Sequence, residues 1–363
     1  MSYIGENGLF TFRDGGFEVK DSELLTAKDA TALGHRLAGF GHRFYAGCRS
    51  FENSRAMTAL CHGITECGGE VCLCGNTDLP SFRYGIPLVS ADCGIFADGT
   101  GNALRFTFYD RNGFVWNDRQ LSELVNAPEL HITEKQGKVS TLTTFAALYT
   151  GSIRDSLSLR GKIIAGVSCA DRSVRALWED IFTGDDDTLV FQTSDDRQRV
   201  NAYSSDVGYI SYEKLVMTYV SQLIKKGEEV WLPDSFHYAA DFAFGSDKLR
   251  RFSAEGEVPA YAAKQRFLSD TLYMCARLAQ RRGDFLDAVR ELPSFATSKR
   301  DIALNVTDDI PCGKTILDNS GRITVTRSGR NRVSLAAQAF SVEAAAELCT
   351  EWAEKLRRLS NGC

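Results

Sequence analysis

The sequence predicts a layered α/β protein of several domains, and three observations carry that expectation. Segments with helical spacing of apolar residues alternate with short, strand-like apolar runs along most of the chain. At 363 residues there is room for two to four domains. The 44% hydrophobic and 25% charged content is that of an ordinary globular protein, without a low-complexity stretch or a Pro/Ser linker.

Lys28 to Phe40 reads as an amphipathic helix and Phe44 to Gly47 as a short strand. Ser54 to Cys67 reads as a helix stopped by Gly68-Gly69, ahead of a strand from Glu70 to Cys74. Ser81 to Val89 has helical character despite Pro87 near its end. Strands at Cys93 to Ala97 and Leu104 to Tyr109 flank Asp98-Gly99-Thr100-Gly101-Asn102. A second unit starts near Gln136. It has a helix from Thr141 to Leu157, a strand from Lys162 to Ser168 and a helix from Arg172 to Phe182. An acidic turn, Gly184-Asp185-Asp186-Asp187, leads into a strand from Thr188 to Gln192. Ser211 to Lys226, Phe267 to Arg282 and Phe285 to Leu292 read as helices, and Glu229 to Leu232 as a strand. The last unit has a strand at Arg322 to Thr326, a turn at Ser328-Gly329, a strand from Arg332 and a helix from Ser341 to Leu359.

Composition excludes several function classes. No apolar run reaches the roughly 18 residues of a membrane span. Met1 to Asn7 lacks the basic and apolar regions of a secretion signal, so none is expected. A formal net charge of −5 argues against nucleic-acid binding. Eleven cysteines, most within apolar patterns, read as reduced thiols in a cytoplasmic protein. Cys61, His62, Cys67, Cys72 and Cys74 match no paired-knuckle spacing, so buried thiols are expected there instead of a zinc cluster.

Four stretches, in order, carry a family resemblance. Gly47-Cys48-Arg49-Ser50-Phe51-Glu52-Asn53-Ser54 precedes a helix. Ala91 to Thr100, A-D-C-G-I-F-A-D-G-T, precedes Asn102-Ala103-Leu104-Arg105-Phe106. Phe191-Gln192-Thr193-Ser194-Asp195-Asp196-Arg197 ends a strand, and Thr326-Arg327-Ser328-Gly329-Arg330 lies before the closing helix. They resemble the G-R-D-T-R-x-S-S, A-D-A-G-I-M-I-T-A-S with N-G-I-K-L, F-D-G-D-A-D-R and R-P-S-G-T loops of the α-D-phosphohexomutases, the phosphoglucomutase/phosphomannomutase superfamily. Glu291-Leu292-Pro293 with Thr297 to Arg300 resembles the end of that family's third domain.

The resemblance implies three α/β/α layered domains, the second and third abbreviated, and a C-terminal TBP-like α+β domain. Domain I would span residues 1–135, domain II 136–228, domain III 229–306 and domain IV 307–363. Thr100 would stand where the family's phosphoserine stands, with Arg49 and Arg105 beside it. Arg327, Ser328, Gly329 and Arg330 would form the phosphate-binding loop, and Asp196 would be a residue of the metal loop.

The departures bear on chemistry. Phosphoryl transfer rests on positioned charge: a phosphorylated hydroxyl, a metal and cationic clamps. The family's histidine after the serine is Gly101, and the loop is shortened before Asn102. In an extended loop alternate side chains face one way, and the alternating set is Gln192, Ser194 and Asp196, with one carboxylate. Hard magnesium requires more anionic oxygen than that, so no cofactor is expected, and magnesium only if the metal loop functions despite its lost carboxylates. Around Ser328, hydroxyl, backbone N–H groups and Arg327, Arg330 and Arg332 suit a phosphate. The sugar loop G-E-x-S-G-H survives only as Glu255-Gly256-Glu257.

Three readings stay open. The first is a pseudoenzyme that binds a hexose phosphate or a protein partner, either a homologous mutase or a second copy of itself. The second is an active, diverged mutase using Thr100 as phospho-acceptor, with Arg105, Arg197 and the C-terminal arginines as clamps. The third is an unrelated α/β enzyme with Cys48 or Cys93 as nucleophile.

Overall fold

The computed structural model describes residues 11–13, 15–22, 25–49, 54–100, 103–142, 145–193, 199–245, 247–253, 258–304, 310–318, 321–329 and 331–360. The chain divides into two compact units, Met1–Val216 with Phe252–Phe285, and Met217–Arg251 with Leu286–Cys363.

The first unit begins with a hairpin of β1 (Thr11–Arg13) and β2 (Gly16–Val19). Next come α1 (Ala27–Leu37), β3 (Arg43–Cys48), α2 (Ser54–Glu66), β4 (Glu70–Asn76), α3 (Leu79–Leu88) and β5 (Cys93–Thr100). β6 (Ala103–Asp110), α4 (Asp118–Asn126) and β7 (Val139–Thr141) complete a seven-stranded sheet of order β1-β2-β6-β5-β3-β4-β7. β3, β4, β5 and β7 run parallel, and β6 returns antiparallel.

Alternation along the strands gives the sheet two apolar faces. Phe44, Ala46, Ile95, Phe106 and Phe108 meet Leu33, Leu37, Leu60 and Ile64 of α1 and α2 in one core. Tyr45 and Phe96, on the other face, stack around Phe82 of α3. The helix α3 forms around Pro87 because Asp78 caps it, accepting from the Ser81 N–H at 2.9 Å, while Pro80 sits in the first turn where no donor is needed. α1 and α2 touch backbone to backbone. A Cβ on Gly34 would lie 2.2 Å from the Leu60 oxygen, and one on Gly63 would lie 2.1 Å from that of Thr31.

The second sheet follows α5 (Phe145–Leu157). It comprises β8 (Ile163–Ser168), then after α6 (Arg172–Glu179) β9 (Phe182–Gly184), β10 (Leu189–Thr193), β11 (Val200–Ser204) and β12 (Gly208–Ile210). The order is β12-β11-β10-β8-β9. β9 and β10 flank β8, so the acidic turn between them crosses β8 at Gly166, where a Cβ would meet the Asp186 oxygen at 2.0 Å. Asp186 is therefore an anchor and not simply a solvated turn residue. Its Oδ2 takes Arg282 Nη1 at 3.2 Å and its Oδ1 takes the Thr188 hydroxyl at 2.7 Å. Two expected helices are shorter than their apolar spacing predicts. Thr141 pairs with Leu73 in β7, and Phe182 leaves α6 to pack as a strand residue against Trp178 and Phe191.

α7 (Tyr212–Lys225) leads to β13 (Val230–Pro233), α8 (Ala239–Phe244) and β14 (Leu249–Phe252), and then to α9 (Ala260–Ala263) and α10 (Thr271–Gln280). The segment 229–306, expected as one domain, is split between the units, because buried polar contacts tie its middle to α5. Asp270, 1% exposed, takes Tyr149 Oη at 2.7 Å and Arg266 Nε at 2.7 Å. The Arg266 guanidinium lies 4.6 Å and 4.7 Å from the centres of the Tyr84 and Tyr273 rings.

After α11 (Arg282–Glu291), the second unit forms an antiparallel sheet from β15 (Ala296–Ala303), β16 (Thr315–Asp318), β17 (Gly321–Gly329) and β18 (Arg332–Ala339), order β15-β18-β17-β16. α12 (Val342–Ser360) covers one face through Leu348, Trp352 and Leu356. This is the expected α+β domain, and it starts at Ala296, ahead of residue 307, because β15 pairs with β18 along its whole length. On this unit His237, 2% exposed, accepts the Ala239 N–H on Nδ1 at 3.0 Å. Its proton therefore sits on Nε2, 3.0 Å from the Ala296 carbonyl.

Candidate functional site

The first cluster is built by three neighbouring strands. Arg49 follows β3, with its N–H donating to the Ala97 carbonyl of β5 at 2.9 Å. That bond aims the side chain along β5, where Arg49 Nη1 donates to Asp98 Oδ2 at 3.1 Å. Both groups are partly exposed, at 25% and 34%. Asp98 also accepts the Gly99 N–H on Oδ1 at 2.9 Å. Across the ladder Asp98 pairs with Arg105 of β6, which pairs with Glu18 of β2. Directly paired residues in a sheet share a face, so Asp98, Arg105 and Glu18 form a row of alternating charge.

β5 and β6 pair without interruption from Cys93↔Asp110 to Thr100↔Ala103. Thr100 therefore ends a paired strand, and Gly101 and Asn102, which lie outside the described residues, are all that separates it from β6. The structure thus brings Arg49, Arg105 and the Thr100 end of β5 together.

At the second strand end Gln192 pairs with Ser168 of β8 and Asn201 of β11. Asn201 Oδ1 accepts the Tyr212 N–H at 3.1 Å. This row offers neutral oxygens, and no group of three His, Cys, Asp or Glu side chains able to hold a metal occurs among the described residues. Ser194, Asp196 and Arg197 lie outside the described residues.

In the second unit Arg327 is exposed on β17, and Gly329 pairs with Arg332 after a break in register beyond Arg327. Ser328 and Gly329 thus end β17 where the β17–β18 hairpin closes, and Arg330 lies outside the described residues, as do Glu255, Gly256 and Glu257.

Cys48 and Cys93, the thiols expected as nucleophiles, are poorly suited to that role. Burial pushes Cys61 and Cys74 up to about 12 and raises Cys48 and Cys93 as well. The thiolate, which is the reactive form, is then scarce at neutral pH. Cys74 is an extra residue in β4 at a register break, and its sulfur fills the space a Cβ on Gly47 would take, 2.5 Å away.

Two residues of this region escaped the sequence reading. Asp98 lies within the quoted loop, two positions before the hydroxyl to which the family pattern points, and no local pattern marks its carboxylate. Arg83 had no local signal, being a lone cation in the apolar helix α3. Its Nε donates to the Gly113 carbonyl at 2.5 Å. The Tyr109 phenol, pushed up to about 12 by burial, feels both Arg83 and Arg105 as opposing pulls.

No family model and no curated protein matches the sequence. Solved structures do. A phosphoglucomutase/phosphomannomutase family protein from Burkholderia thailandensis is similar over 96% of this chain and 97% of its own, with a TM-score of 0.72 and 13% identity. A putative phosphomannomutase from Thermus thermophilus is similar over 96% and 99%, at 0.67 and 14%. Parafusin, a phosphoglucomutase from Paramecium in its open form, is similar over 96% and 95%, at 0.61 and 10%. No helix among the described residues is long and apolar enough to cross a membrane. The chain carries the multi-domain α/β fold of the α-D-phosphohexomutase superfamily, in a strongly divergent sequence.

Proposed function

We propose that the protein is a phosphosugar-binding member of this fold that has given up mutase turnover. The observation that carries the reading is the Arg49–Asp98 pair beside a strand end closed by Thr100↔Ala103. A phospho-acceptor must present its hydroxyl in line with the transferred group and keep a dianionic phosphate among cations. Asp98 lies two residues from Thr100, about 7 Å along the strand. Its carboxylate already occupies one arginine and faces a second across the ladder, and it would repel a phosphate carried on Thr100. The neutral row Ser168–Gln192–Asn201 supports the same reading at the second strand end, where turnover would require a metal.

Binding is the role left to the scaffold, and the hairpin bearing Arg327 and Ser328 is the family-type place for a phosphate. The ten described cysteines are free thiols, which suits a reducing cytoplasm. The test is a thermal-shift panel of hexose phosphates with and without magnesium, on the unsubstituted chain and on Arg327→Ala combined with Arg330→Ala. Stabilisation that needs the arginines and not the metal supports binding at this loop. No shift with any hexose phosphate contradicts it.

A further inference from the structure

The second sheet leaves much of one apolar face open. Strands that run parallel, as β8 and β10 do, are ordinarily packed on both faces. On one side Ala165, Val167, Leu189, Phe191 and Ala202 are buried. On the other, Gly166 pairs with Val190, Val190 with Tyr203, and Tyr203 with Tyr209, so one row crosses four strands on a single face. The two phenol-bearing residues of this row are open, Tyr203 at 54% and Tyr209 at 67% exposure. Ile164, two residues before Gly166 and on its face, is exposed at 68%. Apolar residues exposed together across a sheet mark a contact surface, where one alone would mean nothing.

The charge beside this face narrows the partner. At Gly166 the row runs under the turn from β9 to β10, whose Asp186 carbonyl oxygen occupies the space a Cβ would take. Arg282 and Thr188 hold the Asp186 side chain, which fixes the turn, while Asp185 and Asp187 on either side of it are exposed. Asp206 is exposed in the turn between β11 and β12, which joins Tyr203 to Tyr209. The two turns are adjacent, the Ser205 N–H donating to the Thr188 carbonyl at 3.1 Å. Asp185, Asp187 and Asp206 have no ion pair among the described residues. Nearby cations leave them unneutralised. Arg282 is taken by Asp186, and Arg199, at the opposite end of β11, pairs with Glu213. Arg160 and Lys162 precede Gly166 by six and four residues, so the nearer stands about 13 Å away along the strand.

We propose that this face docks a basic segment of a partner protein. The segment's apolar residues would lie on Ile164, Val190 and the two tyrosines, and its arginines or lysines on Asp185, Asp187 and Asp206. Carboxylates on a fixed turn pair with guanidinium and ammonium groups, and tyrosine rings attract the same cations on their faces. The surface belongs to the second sheet alone and stands if the protein binds no hexose phosphate.

The test uses the full chain and three fluorescein-labelled octapeptides: alternating lysine and leucine, alternating glutamate and leucine, and octalysine. Binding is read by fluorescence anisotropy. The lysine–leucine peptide is expected to bind, with an affinity that weakens at least tenfold in about 0.5 M salt. Octalysine is expected to bind at least tenfold more weakly, and the glutamate–leucine peptide not at all. Tyr203→Ser with Tyr209→Ser, and separately Asp185→Asn with Asp187→Asn and Asp206→Asn, are each expected to lose at least tenfold for the lysine–leucine peptide. Leu317→Ser, at a position of the second unit exposed at 75%, is expected to lose nothing. No binding to the unsubstituted chain overturns the proposal, as does undiminished binding in either multiple variant or an equal loss in Leu317→Ser. Self-association of the unsubstituted chain that disappears with the two tyrosines assigns the face to a second copy and overturns it too. If the tyrosine variant does not fold, Ile164→Ser takes its place: a fivefold loss supports the proposal and undiminished binding overturns it.

Discussion

Arg49 donates to Asp98 at 3.1 Å, two residues before Thr100, so one cation beside the strand of the expected phospho-acceptor is already held by a carboxylate. At 25% and 34% exposure, the pair contributes no more than about 1 kcal/mol to stability. Asp98→Asn should therefore leave urea unfolding within about 1 kcal/mol of the unsubstituted chain, while releasing Arg49 and raising phosphate affinity at this strand end. A loss of several kcal/mol, or no change in phosphate binding, would show that the carboxylate is structural.

The α1–α2 contact sets a second expectation. Gly34→Ala places a methyl 2.2 Å from the Leu60 oxygen, which only a shift of one helix can relieve. A loss of about 2 to 3 kcal/mol is predicted in denaturant unfolding. Gly151→Ala, in α5 with nothing within 4 Å of the new Cβ, is predicted to be neutral or to stabilise by about 0.5 to 1 kcal/mol. Equal effects at the two sites would contradict the close helix approach.

Acid sensitivity is expected at the start of β3. The backbone N–H of Arg43 and then that of His42 donate to Asp92 Oδ2 and hold its carboxyl below the usual range. A lowered native pKa means the contribution is present above about pH 4 and is lost as pH falls through the native value. Asp92→Asn should be less stable than the unsubstituted chain at pH 7, with the gap narrowing at pH 2 to 3. A gap independent of pH would remove the carboxylate from the account.

Thiol labelling checks the exclusion of cysteine chemistry. Cys48 and Cys93, buried and with thiols raised above their ordinary value by burial, should react with a thiol reagent at pH 7 only as fast as the chain opens. Rapid stoichiometric labelling of Cys48 or Cys93 in the folded protein would reinstate the thiol reading.

Much of the fold was legible because its signals are local. Ser54–Glu66 carries a stripe of apolar residues and stops at Gly68-Gly69, so the helix was visible without tertiary information. The elements that escaped depend on partners far along the chain. β7 exists because Val139 to Thr141 pair with β4, although all three residues are exposed. β15 reads as polar, with only Ile302 buried, and is a strand because β18 lies beside it. The site was half legible for the same reason. Arg49, Thr100 and Arg105 follow from ordered loops, whereas Asp98 gains its meaning from Arg49, which is 49 residues away. Arg83 gains its meaning from Gly113 and Phe114, in a turn no pattern connects to α3.

The central claim is binding without turnover, and a 31P NMR time course reads both. Glucose 1-phosphate and mannose 1-phosphate are incubated in turn with the purified chain and magnesium, and the spectra are followed for the 6-phosphate. The account predicts broadened or shifted 1-phosphate resonances and no 6-phosphate above the protein-free blank. Appearance of 6-phosphate that stops in Thr100→Ala would contradict it.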